Sequence, residues 1–484
     1  IEGKDAGLTL LRDITVNGKY ADLLDHVVVL FLPIFNVDGH ERFGPYNRAN
    51  QNGPTEMGWR TTAQNLNLNR DFLKADAPEM RAWLEMFNFW LPDLLVDIHA
   101  SDGADYQYVI TYALETNTNV APPLATWSAD IFEPALRKEM TALGFPFVRY
   151  IVPKEGNDVT SGLMTWTATP RFSNGYGAIQ NRPFLLIETH MLKDYRTRVN
   201  SVYALFDVLL NYCNANFVEI QEVVSDADRF TAAELPDSWL PLSYRPGPDS
   251  TPVEFLGVDF QFQPSEITGA DLVVWGTQPM TYQVPAFYQN LPTDSVLVPH
   301  AYLVPREWQE QLEVLQLHGV DLEYLAEPTE VEVESYRFTS AEWEAEPYES
   351  HHRVSVEYEP FRERRNFPAG TAVVLLNQRT NRVAVHLLEP KAPDSFVRWG
   401  FFDAIFERKE YIEDYVMEPL ARQMLAEDST LQAEFQARLD SDSAFAASPE
   451  ARLDFFYERT PYYDQMLNLY PVGRILDPVA LELQ

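Results

Sequence analysis

The chain has 484 residues, 46% of them apolar and 13% aromatic, which excludes a disordered protein and suggests two or three domains. Its formal charge of −35 argues against a nucleic-acid partner, and its single cysteine, Cys213, excludes internal disulfides and cysteine-rich metal sites. The longest apolar run, Val27 to Phe35, is nine residues, contains Pro33 and is too short to span a bilayer.

The chain opens on Ile1 rather than Met, and Leu8, Leu11 and Ile14 follow at helical spacing. Nothing there reads as a signal peptide, and the expectation is a processed, cloned or incomplete product. His26–Asn36 is a continuous apolar run rich in β-branched residues, as in a buried strand. Asp76 and Glu79 have capping-box spacing before Met80, Trp83, Leu84 and Phe87, a helical pattern that Pro92 ends. Leu94–His99 reads as a second strand, Gln107–Tyr112 as a third and Phe184–Glu188 as a later one. Asp130–Leu143 reads as a helix capped by Gly144, and Val199 to Cys213 share one face of another. The pattern predicts an α/β fold with a mixed, mostly parallel sheet flanked by helices.

Residues 1–215 carry a net charge of −7 and residues 216–484 one of −28. Five prolines fall within 236–252. The expected organisation is a catalytic unit over 1–225, a proline-rich linker over 226–252 and an acidic α+β accessory domain over 253–484. In the last of these, Val331/Val333 and Val354/Val356/Tyr358 alternate as strands. Ala372–Asn377 with Arg382–Leu388 reads as a hairpin, Arg306–His318 as a helix, and 403–460 as mainly helical.

In open α/β sheets, ligands bind beyond the carboxyl ends of strands. One apolar strand here ends at Asn36, one carries Asp97 and ends at His99, and one ends at Glu188. A histidine and a glutamate at neighbouring strand ends can serve as metal ligand and general base, or as a hydrogen-bonded histidine and a solvated terminus; spacing alone slightly favours the latter. Between the first two strands lie Gly58-Trp59-Arg60 and Asn65 to Phe72, with Asn69-Arg70 at its centre. A guanidinium fork beside amide donors suits a carboxylate, although an Asn-rich loop also stitches itself together.

Taken together, these pieces resemble the zinc metallocarboxypeptidases similar to carboxypeptidases A and B. The turn Pro33-Ile34-Phe35-Asn36-Val37-Asp38-Gly39 is followed by Arg60, by Asn69-Arg70, by His99 after Asp97-Ile98, and by Glu188 late in the unit. The resemblance covers about residues 1–215, and the region downstream looks like an extension found in a bacterial branch. It implies one Zn²⁺, with His99 as a ligand and Glu188 as general base. Arg60 would stabilise the oxyanion, and Asn69 and Arg70 would clamp the free C-terminal carboxylate of a peptide substrate. Tyr176, in Asn174-Gly175-Tyr176-Gly177, resembles the family's mobile tyrosine that closes over the substrate. The family's first histidine and its glutamate come from an H-x-x-E motif, which none of the nine histidines here begins in the right place. The segment from Ile1 resembles the one that directly follows that motif. The expectation is a chain lacking two of three metal ligands, binding zinc weakly or not at all, and inactive as given.

The remaining candidates are assigned structural roles. His190 is expected to be a surface histidine at a strand end, and His318 a charged residue favouring a helix dipole. His351 and His352 are placed in a solvated acidic loop, and Cys213 in buried packing. The alternatives to a peptidase are an amidase or deacylase sharing the metal site, and a non-catalytic protein that binds peptides or carboxylates. A periplasmic or extracellular location follows from the resemblance alone.

Overall fold

The computed structural model describes residues 2–101, 103–117 and 119–484; Ile1, with which the expected N-terminal segment begins, lies outside them. The first half contributes strands β1 (Leu95–Ser101), β2 (Ile110–Ala113), β3 (Phe147–Arg149), β4 (Pro153–Glu155), β5 (Asp158–Met164) and β6 (Phe184–His190). Four of these form a mixed sheet in the order β1-β6-β2-β3. β1 runs parallel to β6, β2 antiparallel to β6, and β3 parallel to β2. β6 has a neighbour on each side, which is why its sequence is a run of apolar residues rather than an alternation.

Helices cover this sheet. Helix α1 (Glu2–Thr15) packs so closely on it that a Cβ on Gly3 would lie 2.8 Å from Ile98 Cβ. Helices α2 (Pro78–Trp90), α3 (Glu133–Ala142), α4 (Ser173–Ile179), α5 (Tyr195–Ala215) and α6 (Phe217–Glu234) follow in chain order. The expected capping box before α2 does not form. Its N-cap is Ala77 with Pro78 behind it, and Asp76 turns instead to Lys74 and His351.

The expected strand over His26–Asn36 is also absent. Val28 is 77% exposed and Leu32 47%, and the segment makes no ladder. An apolar run becomes a central strand only where partners flank it, and β1 is an edge strand that pairs only with β6 among the described residues.

Residues 226–252 are not a linker. They complete α6, form β7 (Trp239–Pro246) and begin β8 (Thr251–Pro264). Pro241 and Pro246 are tolerated because, among the described residues, β7 pairs only with β10 (Asn290–Leu297), with the register broken near Pro292, and Pro252 lies in β8, which is an edge strand. β9 (Asp271–Phe287) pairs with β8 and, in parallel, with β5, so strands of the two halves share a sheet.

Further on lie β11 (Ala301–Val304), β12 (Glu323–Tyr324), β13 (Thr329–Trp343), β14 (Val354–Phe367), β15 (Ala372–Leu375) and β16 (Gly473–Ile475). They form one sheet in the order β12-β15-β11-β16-β13-β14. The expected helix near Arg306–His318 is α7 (Gln309–Leu317). The second arm of the expected hairpin is instead a fully buried helix, α8 (Asn381–Leu388). Its apolar run is as compatible with a buried helix as with a strand. The largest apolar core joins Leu66, Trp83 and Phe184 of the first half to Leu315, Val374 and Tyr470 of the second.

Candidate active site

β1 and β6 run parallel in register from Leu95 opposite Phe184 to Ser101 opposite His190, which sets His99 directly beside Glu188. Asp97, two residues before His99 on the same face of β1, meets the imidazole Nε2 at 2.7 Å. Burial opposes the Asp97 charge, but the His99 charge and hydrogen bond outweigh it and hold that carboxyl below its usual range. Burial likewise works against a charged His99, yet Asp97 prevails, aided by Glu188, and the imidazole pKa is raised. With Nε2 committed to Asp97, Nδ1 is the ring nitrogen left to take a metal, and a carboxylate behind a histidine is the usual support for a metal ligand.

The turn that precedes Arg60 explains its own sequence. Asn36 Oδ1 accepts from the Gly39 N–H at 2.8 Å, and Asn36 Nδ2 donates to the Arg60 carbonyl at 3.1 Å. Asp38 Oδ2 accepts from the Ala63 N–H at 2.9 Å, and the Trp59 N–H donates to the Gly39 carbonyl at 2.6 Å. Gly39 is required by close approach, because a Cβ there would sit 2.4 Å from Asn36 Nδ2 and 2.6 Å from the Trp59 carbonyl oxygen. The Asn-x-Asp-Gly turn thus fastens the Arg60 loop.

Asn69 and Arg70 lie in a short 3-10 turn capped by Asn67, whose Oδ1 accepts from the Asn69 N–H at 3.2 Å. Asn69 Oδ1 in turn accepts from the Ser173 N–H at 3.1 Å, at the start of α4. The Arg70 guanidinium donates to the Asn69 carbonyl at 2.6 Å and lies 4.3 Å from the centre of the Phe172 ring. Among the described residues no carboxylate forms an ion pair with Arg60 or Arg70. Two uncompensated guanidiniums in one cleft suit an anionic ligand.

One cleft of about 1510 Å³ is lined by Arg60, Asn69, Arg70, His99 and Glu188. An aromatic wall, not expected from the sequence, lines it as well. Tyr150 and Trp166 lie 5.8 Å apart, and Trp166 meets Phe172 edge-on at 5.2 Å. Its signal in the sequence was Trp166 and Phe172, the two aromatics in a stretch, 165–172, that otherwise holds Thr, Ala, Pro and Arg.

Tyr176 is not brought to the cleft. It is fully buried among Phe72, Trp83, Phe87 and Phe184, and its hydroxyl meets His318 Nδ1 at 2.9 Å and accepts from Gln180 Nε2 at 2.6 Å. A ring packed on all sides cannot swing over a substrate.

His318 is fully buried, and burial lowers its pKa to about 4, so it is neutral and carries no charge for the helix dipole. His190 is 2% exposed rather than a surface residue, held between Asp105 at 2.9 Å and the Tyr106 N–H. His352 is exposed, whereas His351 is only partly so and meets Asp76 at 2.7 Å.

Among the described residues no group of three His, Cys, Asp or Glu side chains is placed to hold a metal ion. The acid nearest the chain start, Glu2, is buried and ion-paired with Arg198 at 2.6 Å. The donor set in hand is His99, which falls short of the three or four protein ligands a zinc ion takes. Among the described residues no helix is long and apolar enough to cross a membrane.

Residues 2–106 match the zinc carboxypeptidase family. The chain is 25% identical to carboxypeptidase 2 of Trichophyton tonsurans and of Trichophyton equinum over 417 residues, covering 82% of this chain and 71% of each relative. It is 24% identical to a probable carboxypeptidase 2 of Arthroderma benhamiae, covering 81% and 71%. No solved structure gives a significant match. These relatives are fungal and lend the expected bacterial branch no support. A match over 82% of the chain also runs well past residue 215, into the region read as an extension.

Proposed function

With the chain a member of the zinc carboxypeptidase family, we propose that its cleft hydrolyses the last peptide bond of peptides bearing a free C-terminal carboxylate. The observation that carries this reading is the register of His99 beside Glu188 in a cleft also lined by Arg60, Asn69 and Arg70. Asn69 and Arg70 bind the terminal carboxylate, which limits cleavage to the chain end. Glu188 takes a proton from the attacking water and returns it to the leaving amine. Arg60 stabilises the negative charge that develops on the carbonyl oxygen. Zinc in this family supplies Lewis-acid chemistry, and His99 is the residue here assigned to it. Among the described residues no second and third donor join His99, and with that set alone zinc binding is expected to be weak. As with the family generally, we place the activity outside the cytoplasm.

A non-catalytic carboxylate-binding role is the second reading, favoured by the lack of a three-donor group among the described residues. Supplying an H-x-x-E segment ahead of residue 1 separates the two. Zinc binding and peptidase activity gained together support the enzyme, and neither gained supports the binding protein. In the active form, Arg70→Ala raises KM about 10- to 100-fold for free-acid peptides, the loss of a charge-assisted contact, and far less for amidated ones. Equal effects on both would remove the clamp assignment.

A further inference from the structure

Resting on that reading of Asn69 and Arg70, we propose that the second half of the chain braces the carboxylate clamp, with Glu349 and Asp394 as its positioning residues. Glu349 Oε2 accepts from the Asn67 N–H at 2.9 Å. Asn67 is the cap that holds Asn69, and Asn69 holds the start of α4. Asp394, fully buried, accepts from the Arg171 N–H at 2.9 Å and pairs with the Arg171 guanidinium at 3.2 Å. The next residue, Phe172, is the ring on which Arg70 rests. The two braced segments are also joined directly, because the Phe72 N–H donates to the Arg171 carbonyl at 3.3 Å. Asn69 therefore reaches Glu349 through Asn67, and Arg70 reaches Asp394 through the Phe172–Arg171 segment; Glu349 lies 282 residues after Asn67 and Asp394 223 after Arg171.

The turn that carries Glu349 is built at a conformational cost. Tyr348 and His351 pair across it, and Glu349 and Ser350 have φ of 48° and 68°. Positive φ at both central residues defines a hairpin turn that prefers Asn-Gly, and residues other than Gly, Asn and Asp adopt it reluctantly. Contacts to the first half hold the turn there. His351 meets Asp76 at 2.7 Å, Asp76 meets Lys74 at 2.7 Å, and Tyr348 lies against the Arg171 guanidinium at 5.7 Å. Free of the clamp, a better turn sequence would be Asn-Gly. Among the described residues, the bond that the Glu349 side chain makes is the one to the Asn67 N–H.

The test uses the full chain and two probes titrated calorimetrically, an N-acetylated dipeptide with a free carboxylate and the same dipeptide amidated. Glu349→Asn/Ser350→Gly improves the turn but leaves a side chain one methylene shorter opposite Asn67. The expected result is a melting temperature unchanged or raised, amide exchange over 67–72 at least about tenfold faster, acid binding about tenfold weaker and amide binding unchanged. Asp394→Asn is expected to speed exchange over 171–173 in the same way. Unchanged exchange in the turn variant overturns the brace. So does faster exchange with unchanged acid binding, provided that Arg70→Ala does weaken the acid probe. If Arg70→Ala alters neither probe, the clamp reading has failed, and exchange alone decides the brace. Should Asp394→Asn not fold, the turn variant, at a half-buried and an exposed position, decides by itself.

Discussion

Glu115 is 7% exposed, with Oε1 accepting from the Ala168 N–H at 3.1 Å and from Asn174 Nδ2 at 2.8 Å, and Oε2 accepting from Asn117 Nδ2 at 2.5 Å. Burial raises its pKa to about 7 from 4.5, more than those donors lower it. The native protein therefore holds a proton there after the unfolded chain has released it. Linkage then makes stability fall as pH rises from about 4.5 to about 7, with no further loss above. Glu115→Gln is expected to flatten that part of the profile, by roughly 3 kcal/mol at most. Urea titrations below, within and above the window check this, and an unchanged slope would mean that Glu115 does not titrate there. The same scale shows why Tyr176 and His318 were misread. Tyr176 sits in a Gly-rich stretch and His318 at a helix end, and both are buried by contacts distant in sequence: Phe72, Trp83, Phe87 and Phe184 around Tyr176, Leu73 beside His318, and the bond between the two across 142 residues.

At the scale of elements, β1 and β6 were legible because each is an apolar run ending in a polar residue at the sheet's carboxyl edge, and both pair as such runs do. The Asn36–Gly39 turn was legible for a different reason, since its side chains bond within a few residues of chain and across one short loop. Its dependence on Gly39 is open to direct test. Gly39→Ala forces a Cβ against both Asn36 and the Trp59 carbonyl. It is expected to cost about 1–3 kcal/mol in chemical denaturation and to loosen the Arg60 loop in hydrogen exchange. A stability unchanged within about 0.5 kcal/mol would show that the turn yields cheaply. Val27–Phe35 and α8 were misread because an apolar run states that it wants burial, not which element will bury it.

At the scale of the whole molecule, the charge asymmetry and the proline cluster suggested two bodies and a linker, yet one apolar core crosses the two halves and β5 pairs with β9. Unfolding is therefore expected to be one transition, with fluorescence of Trp83 in the first half and Trp399 in the second lost at the same urea concentration. Two separated transitions in single-tryptophan variants would restore the two-body view. Local sequence alone determined the groups that end β1 and β6, the turn that fastens Arg60 and the Asn69-Arg70 pair, since these depend on backbone period and contacts a few residues apart. Only the tertiary structure decided that Tyr176 is core, that Val27–Phe35 is unpaired and that Glu349 and Asp394 reach the clamp. Ladder partners, burial and buried ion pairs are set by residues hundreds of positions away, and no local pattern encodes them.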